Sequence, residues 1–326
     1  MKLRIVLITA LGLALALYLV MYVGWGAVLA AALAVGAGGF AILCLYALGV
    51  FVLLGAAWYL LLPETAGTRL WVLIWARMVR DAAAEVLPFS QFGGILLGAR
   101  AAILHGIAMP LAFASMIVDV TTELLAQIAY VALGVMLLST RAPRSSLASS
   151  LTSVSIIGLL LACVAGALFI ALQRYGHRIT EKLAARILPR AVAPAAVAAR
   201  LDAIYASPAR IGLSAALHLA AWIASAIGTW IAFRLIGAHV DLTAAIAIES
   251  LVYASRSAAA FVPNALGVQE AAYVVLAPLF GVGAEFGLAV SLLKRARDIA
   301  VGAPVLLIWQ AVEGRRAVAG GPAATN

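Results

Sequence analysis

From Ile5 to Val23 the chain runs for about 19 residues without a charged side chain, and comparable apolar stretches recur almost to its C-terminal end. About 20 such residues in a helix cover the hydrocarbon thickness of a bilayer. In hydrocarbon every backbone N–H and C=O must be satisfied internally, which leaves only helices or closed barrels. The runs here are continuous rather than alternating, and that excludes a β-barrel. Composition agrees: 66% of residues are hydrophobic, 11% are charged, and the mean hydropathy is +1.12. Soluble domains are nearer half apolar and a quarter charged. The chain therefore reads as an all-α polytopic membrane protein, with no polar segment long enough to be a separate soluble domain.

Lys2 and Arg4 precede the first run, and Ala14-Leu15-Ala16 looks like a signal-peptide cleavage site. The apolar stretch passes straight through it, so a retained first helix is expected. After Gly24-Trp25-Gly26, the segment Ala27–Leu62 is too long for one straight span, and Gly36, Gly38 and Gly39 mark an elbow before span two at about 39–62. Further spans are expected at 110–138, 151–172, 211–236 and about 286–312. Two stretches, 71–109 and 243–278, are too polar to face lipid yet too apolar for loops, and each is broken at a proline. They read as re-entrant helical hairpins.

Charge tests this count. With Lys2 and Arg4 in the cytoplasm, six crossings and two non-crossing hairpins put the basic connection 173–210 inside. Arg315 and Arg316 then fall inside too, while only Arg141 and Arg144 fall outside. That obeys the positive-inside rule better than eight crossings. Both termini are then cytoplasmic. Residues 1–316 form one integral membrane domain and 317–326 a polar tail. The net charge of +9 is explained by these loops and anionic headgroups, not by nucleic acid.

The two proline breaks resemble one another. Arg80 precedes Pro88 by eight residues and Arg256 precedes Pro263 by seven. Glycines follow at Gly93-Gly94 and at Gly267. Counting 35 residues on from each proline reaches Glu123 and Asp298, so an offset near 175 relates the two halves. The expected repeat units, about 39–138 and 211–312, enter the membrane from opposite sides, as in the inverted repeats of alternating-access transporters. Proline and glycine make Pro88, Gly93, Gly94, Pro263 and Gly267 the expected helix breaks.

Charges inside a bilayer cost roughly 2.5–3.5 kcal/mol each, so they are paired, hydrated or functional. The candidate substrate-binding set is Arg80, Glu85, Arg100, Asp119, Glu123, Glu249, Arg256, Asn264, Gln269, Glu270, Arg295, Arg297 and Asp298. Arg77, Asp81 and Lys294 lie in the same segments. Asp119 and Glu123 stand four apart and share a helical face. Two readings stand side by side. The arginines hold an anionic headgroup while carboxylates gate or carry protons, or the charges are salt bridges docking the hairpins. A helix restarting at either break would aim its positive N-terminus inward and favour an anion, unless the break only packs.

Cys44 and Cys163 lie in apolar runs and read as small hydrophobes. His105, His177, His218 and His239 have no metal-ligand spacing; His177 reads as a loop residue and the other three as satisfied single residues. No metal or cofactor is expected. The Gln173–Arg210 connection is either a basic amphipathic helix on anionic lipid or a solvated loop that sets orientation.

The pattern Arg80…Leu87-Pro88…Gly93-Gly94…Arg100, then Glu249…Arg256…Phe261-Val262-Pro263-Asn264-Ala265-Leu266-Gly267…Glu270, then Arg297, resembles the transmembrane, flippase-like region of lysylphosphatidylglycerol synthases. The similarity runs from about residue 5 to 312. No soluble aminoacyl-transferase domain accompanies it, so lysyl transfer is not implied. Val262 to Glu270 looks like the stand-alone members associated with hopanoid biosynthesis, the HpnL type. The resemblance implies lipid translocation, or assistance to it, in a bacterial inner membrane, with hopanoids or anionic phospholipids as partners. Phe89-Ser90-Gln91-Phe92 departs from the family's glycine-rich turn after the first proline. Three functions are weighed: a flippase working through a polar cavity between the hairpins, an integral-membrane lipid-modifying transferase, and an accessory subunit of a lipid-synthesis complex.

Overall fold

A computed structural model of the chain describes residues 33–86, 91–142, 145–175, 194–259 and 262–318, together with Met21 and Gly26. Among the described residues there are ten α-helices and no strand, so the all-α polytopic class holds. The expected first span, Pro88 with its neighbours, residues 176–193 of the basic connection and the tail from 319 lie outside the described residues.

The helices are α1 (Gly36–Tyr59), α2 (Leu70–Val86), α3 (Gln91–Leu104), α4 (Met109–Arg141), α5 (Ser146–Tyr175), α6 (Pro194–Tyr205), α7 (Pro208–Leu235), α8 (Leu242–Ala258), α9 (Val268–Leu276) and α10 (Ala284–Val318). By length and composition α1, α4, α5 and α7 can each cross a membrane. α10 is long enough at 35 residues, but Lys294, Arg295, Arg297 and Asp298 interrupt its apolar character. The α4–α5 connection is shorter than the expected polar loop. α4 continues to Arg141, and Ser145 Oγ caps α5 by accepting from Ala148 N at 3.1 Å.

Both broken segments are helical hairpins: α2 packs on α3, and α8 on α9. Gly93 and Gly94, expected as breaks, instead lie within the first turn of α3. A Cβ at Gly94 would stand 2.5 Å from the Arg80 carbonyl oxygen, so this glycine lets α3 approach α2 and does not turn the chain. At the second break the chain does turn. Pro263–Ala265 form a single 3-10 turn, Asn264 and Ala265 take φ of 49° and 45°, and Gly267 at φ 79° leads into α9. Positive φ in non-glycine residues costs of order 1 kcal/mol or more and persists only where neighbours enforce it.

The chain divides into two units. The first comprises Phe51–Ala126, Cys163–Ala220 and Val301–Asn326; the second comprises Met1–Val50, Gln127–Ala162 and Ala221–Ala300. The first unit contains the α2–α3 hairpin, and its core includes Trp58, Leu73, Met116 and Phe113. Val197 and Ile204 of α6 join that core, so the described part of the long connection uses its apolar side for packing. The second unit contains the α8–α9 hairpin around Phe233, Ile248, Tyr273 and Val290. α5 leaves Val154, Ile157, Leu160, Leu161, Val164 and Leu168 exposed. In water such a face would aggregate; in a bilayer it is solvated by acyl chains.

Candidate functional site: two buried charge clusters

The first cluster begins with helical spacing. Arg77, Arg80 and Asp81 stand three and four apart on α2, and Asp119 and Glu123 stand four apart on α4, so each helix turns one charged face inward. Arg77 donates through Nε to Asp81 at 3.0 Å, through Nη1 to Asp119 at 3.2 Å, and through Nη2 to Glu123 at 2.5 Å. Arg80 donates to the same two acids, at 2.8 Å to Asp119 and 2.6 Å to Glu123. From α7, His218 Nε2 lies 3.0 Å from Asp119 Oδ1, with both side chains fully buried. Thr122 and Ser214 share a hydrogen bond of 3.1 Å beside them. Planar guanidinium forks suit this work because each engages two carboxylates at once.

The second cluster lies in the other unit. Glu249 of α8 accepts from Thr229 at 2.9 Å and also from Tyr273, Lys294 and, at 3.4 Å, Ser225. Lys294 comes from α10 and also donates to Thr229 and Tyr273, each at 3.0 Å. Next to it, Glu270 accepts from Arg295 on both oxygens, from the Gly267 amide at 2.8 Å and from Ser291 at 3.3 Å. Those four bonds match the roughly four acceptor positions of a carboxylate. Arg295 reaches on to the carbonyls of Asn264 and Ala265 at 3.2 and 3.3 Å, the two residues with positive φ. Gln269 donates to Ser291 Oγ at 3.0 Å.

Glu270 thus answers a question left open by the sequence. It sits in the first turn of α9 and its own carboxylate binds the Gly267 amide at the helix start. The anion attracted to that positive helix end is supplied by the chain itself. Arg295 and Glu270 together form a latch that holds the strained Asn264–Gly267 turn to α10.

Of the predicted residues, Arg80, Asp119 and Glu123 meet in the first cluster, and Glu249, Gln269, Glu270 and Arg295 contribute to the second, with the Asn264 carbonyl. Arg297 pairs with its neighbour Asp298 at 2.6 Å, and Arg256 lies over the Tyr253 ring at 5.4 Å. Tyr253 in turn packs edge-on against Trp222, which stacks on Tyr130. Arg100 pairs with Glu313 at 2.8 Å, both partly exposed, and Glu85 is half-buried on α2. The candidate set did not include Arg77, Asp81 and Lys294, noted only as charges in the same segments, nor His218, Thr229 and Tyr273. A signal existed for one of them: Lys294 follows Asp119 by the same 175 residues that separate Pro88 from Pro263.

No curated protein and no solved structure matches the chain. A family model described as the lysylphosphatidylglycerol synthase TM region matches residues 6–305, nearly its whole length, and makes this a lipid-related membrane protein. The chain belongs to the lysylphosphatidylglycerol synthase transmembrane-region family.

Proposed function

We propose that the protein translocates a lipid across a bacterial inner membrane, and that its two helical hairpins re-enter the bilayer without crossing it. The observation that carries this reading is the pair of buried charge clusters, each built where a broken hairpin meets a long helix. At roughly 2.5–3.5 kcal/mol per charge, such clusters are costly to keep in a membrane without a use. The chain is an inverted repeat over about 39–138 and 211–312, with both termini cytoplasmic. In the first hairpin both cations, Arg77 and Arg80, stand on the hairpin beside Asp81, and the acids Asp119 and Glu123 on the following helix. In the second the acid Glu249 stands on the hairpin and the cation Lys294 on the helix. The same frame is used twice with the charges exchanged.

Within the first unit Arg80, and within the second Arg256 and Arg297, are the cations offered to a headgroup; Glu123 in the first and Glu249, Glu270 and Asp298 in the second balance charge. An anionic phospholipid or a hopanoid of the kind handled by stand-alone family members is the substrate class. The test is movement of headgroup-labelled lipids in vesicles containing the purified protein. Lipid-selective movement that falls at least tenfold in Arg256→Ala, with unfolding temperature unchanged, supports the reading. Folded, inserted protein that moves no lipid overturns it.

A further inference from the structure

We propose that Tyr130 and Trp222 are the hydrogen-bond donors of a lipid-phosphate subsite in the second unit. The residues that build it all belong to that unit. Tyr130 of α4 stacks on Trp222 of α7, with 5.9 Å between ring centroids and 16° between planes. Tyr253 of α8 meets Trp222 edge-on at 4.4 Å, and Arg256, one turn further along α8, lies over the Tyr253 ring at 5.4 Å. The column runs inward from the partly exposed Arg256 and Tyr253 to Tyr130, which has no exposed surface. The Tyr130 hydroxyl and the Trp222 indole N–H are both buried and have no hydrogen-bond partner among the described residues.

Stacking accounts for the rings but not for their polar atoms. A phenylalanine at position 130 would stack equally well and bury no hydroxyl. A buried donor without an acceptor keeps its full desolvation penalty, and hydrocarbon offers no water to relieve it. The acceptor therefore comes from outside the protein. An indole N–H can only donate, and a hydroxyl beside it can donate too, so the pair suits a group that accepts twice. The two non-bridging oxygens of a phosphodiester do so. Lys294 also lies over the Tyr253 ring, at 5.7 Å, but its charge is paired with Glu249. The guanidinium of Arg256 is the cation at the outer end of the column, and its planar fork of five donors can engage phosphate while keeping other contacts. The two buried donors are reached when the Tyr253 edge withdraws from Trp222. That movement, and a lipid as the carrier of the phosphate, rest on the translocation reading.

The experiment is native mass spectrometry of the purified full chain with two lipids of identical acyl chains, read beside unfolding midpoints in detergent. One is phosphatidylmethanol, an anionic diester with no headgroup hydroxyl; the other is diacylglycerol, which offers only ester carbonyls as acceptors. The parent is expected to retain phosphatidylmethanol the more strongly. Tyr130→Phe is expected to weaken that retention about fivefold, the worth of one hydrogen bond, and to unfold no earlier than the parent, because its hydroxyl has no partner in the protein to lose. Tyr59→Phe, at the exposed end of α1 in the first unit, is the control and is expected to bind as the parent does. Equal retention of the two lipids by the parent, an unchanged Tyr130→Phe, or an equal fall in the control overturns the subsite. An earlier unfolding of Tyr130→Phe also overturns it, by showing that the hydroxyl serves the fold. If Tyr130→Phe binds less but the parent moves no lipid in vesicles, the translocation reading fails and the subsite stands. If lipid moves while Tyr130→Phe binds as the parent does, the subsite fails and translocation stands.

Discussion

Lys294 on α10 donates to Glu249 on α8 at side-chain exposures of 5% and 0%, and Tyr273 and Thr229 complete the shell around that carboxylate. Desolvating two ions costs several kcal/mol each, and only close mutual pairing with further hydrogen bonds offsets it. Removing one partner leaves the other buried and uncompensated. Lys294→Met is therefore expected to lose about 3–5 kcal/mol of stability, seen as a lower unfolding midpoint in detergent. Adding Glu249→Leu to that variant removes the stranded charge and is expected to restore a large part of the loss. A double variant as unstable as the sum of the two singles would show that the groups do not act as a pair.

The Arg295–Glu270 latch makes a local prediction. Arg295→Ala frees the carbonyls of Asn264 and Ala265 and removes two of the four donors on Glu270. The positive φ of both residues then has less to enforce it. Amide exchange over 262–268 is expected to rise at least tenfold, about 1.4 kcal/mol of local stability, while the α2–α3 hairpin is unaffected. Exchange that rises equally in both hairpins would instead point to global loosening.

Legibility followed physics. Apolar runs announce helices because a bilayer admits little else, so the spans expected at 39–62, 110–138, 151–172 and 211–236 each appear within about five residues of those bounds. The i, i+4 spacing of Asp119 and Glu123 likewise announced a shared face. What spacing cannot announce is the partner across the bundle. Arg77 meets Glu123 from 46 positions away and His218 meets Asp119 from 99. Histidine looked solitary because its neighbour is set by the packing of α7, not by the local sequence. Gly94 was misread for a related reason: a glycine that turns the chain and a glycine that lets two helices touch look the same in one sequence.

Acid should loosen the entry to α8. Asp241, outside the apolar helices, caps α8 by accepting from the Ala244 amide and from Thr243, each at 2.7 Å. The backbone amide first, and then the Thr243 hydroxyl, hold its carboxyl below its ordinary range. A lowered folded value means the cap's contribution is full above the unfolded value of about 3.9 and fades as pH falls below it. Asp241→Ala is expected to lose about 1 kcal/mol at pH 7, with Asp241→Asn nearer the parent because asparagine also caps well. The difference between parent and Asp241→Ala should shrink on going from pH 6 to pH 3. A constant difference over that interval would assign the loss to packing. Arg141, 4.0 Å away and exposed, adds little.

Two glycines should respond in opposite directions to one added methyl group. At Gly287 on α10 a Cβ would stand 2.6 Å from the Tyr273 carbonyl oxygen and 3.0 Å from Ala277 Cβ. Neither neighbour is the free end of a flexible chain, so α10 and α9 must separate. Overpacking of this kind costs about 1–3 kcal/mol. Because Tyr273 is a partner of Glu249, the strain reaches the second charge cluster. At Gly212, inside α7, a Cβ meets nothing within 4 Å. There Gly212→Ala replaces a poor helix former by the best one and is expected to stabilise by about 0.5–1 kcal/mol. Unfolding midpoints of the two variants should thus fall on either side of the parent. A Gly287→Ala protein as stable as the parent would mean that the α9–α10 contact yields at little cost, and the close seating of hairpin two on α10 would not be what holds Tyr273 against Glu249.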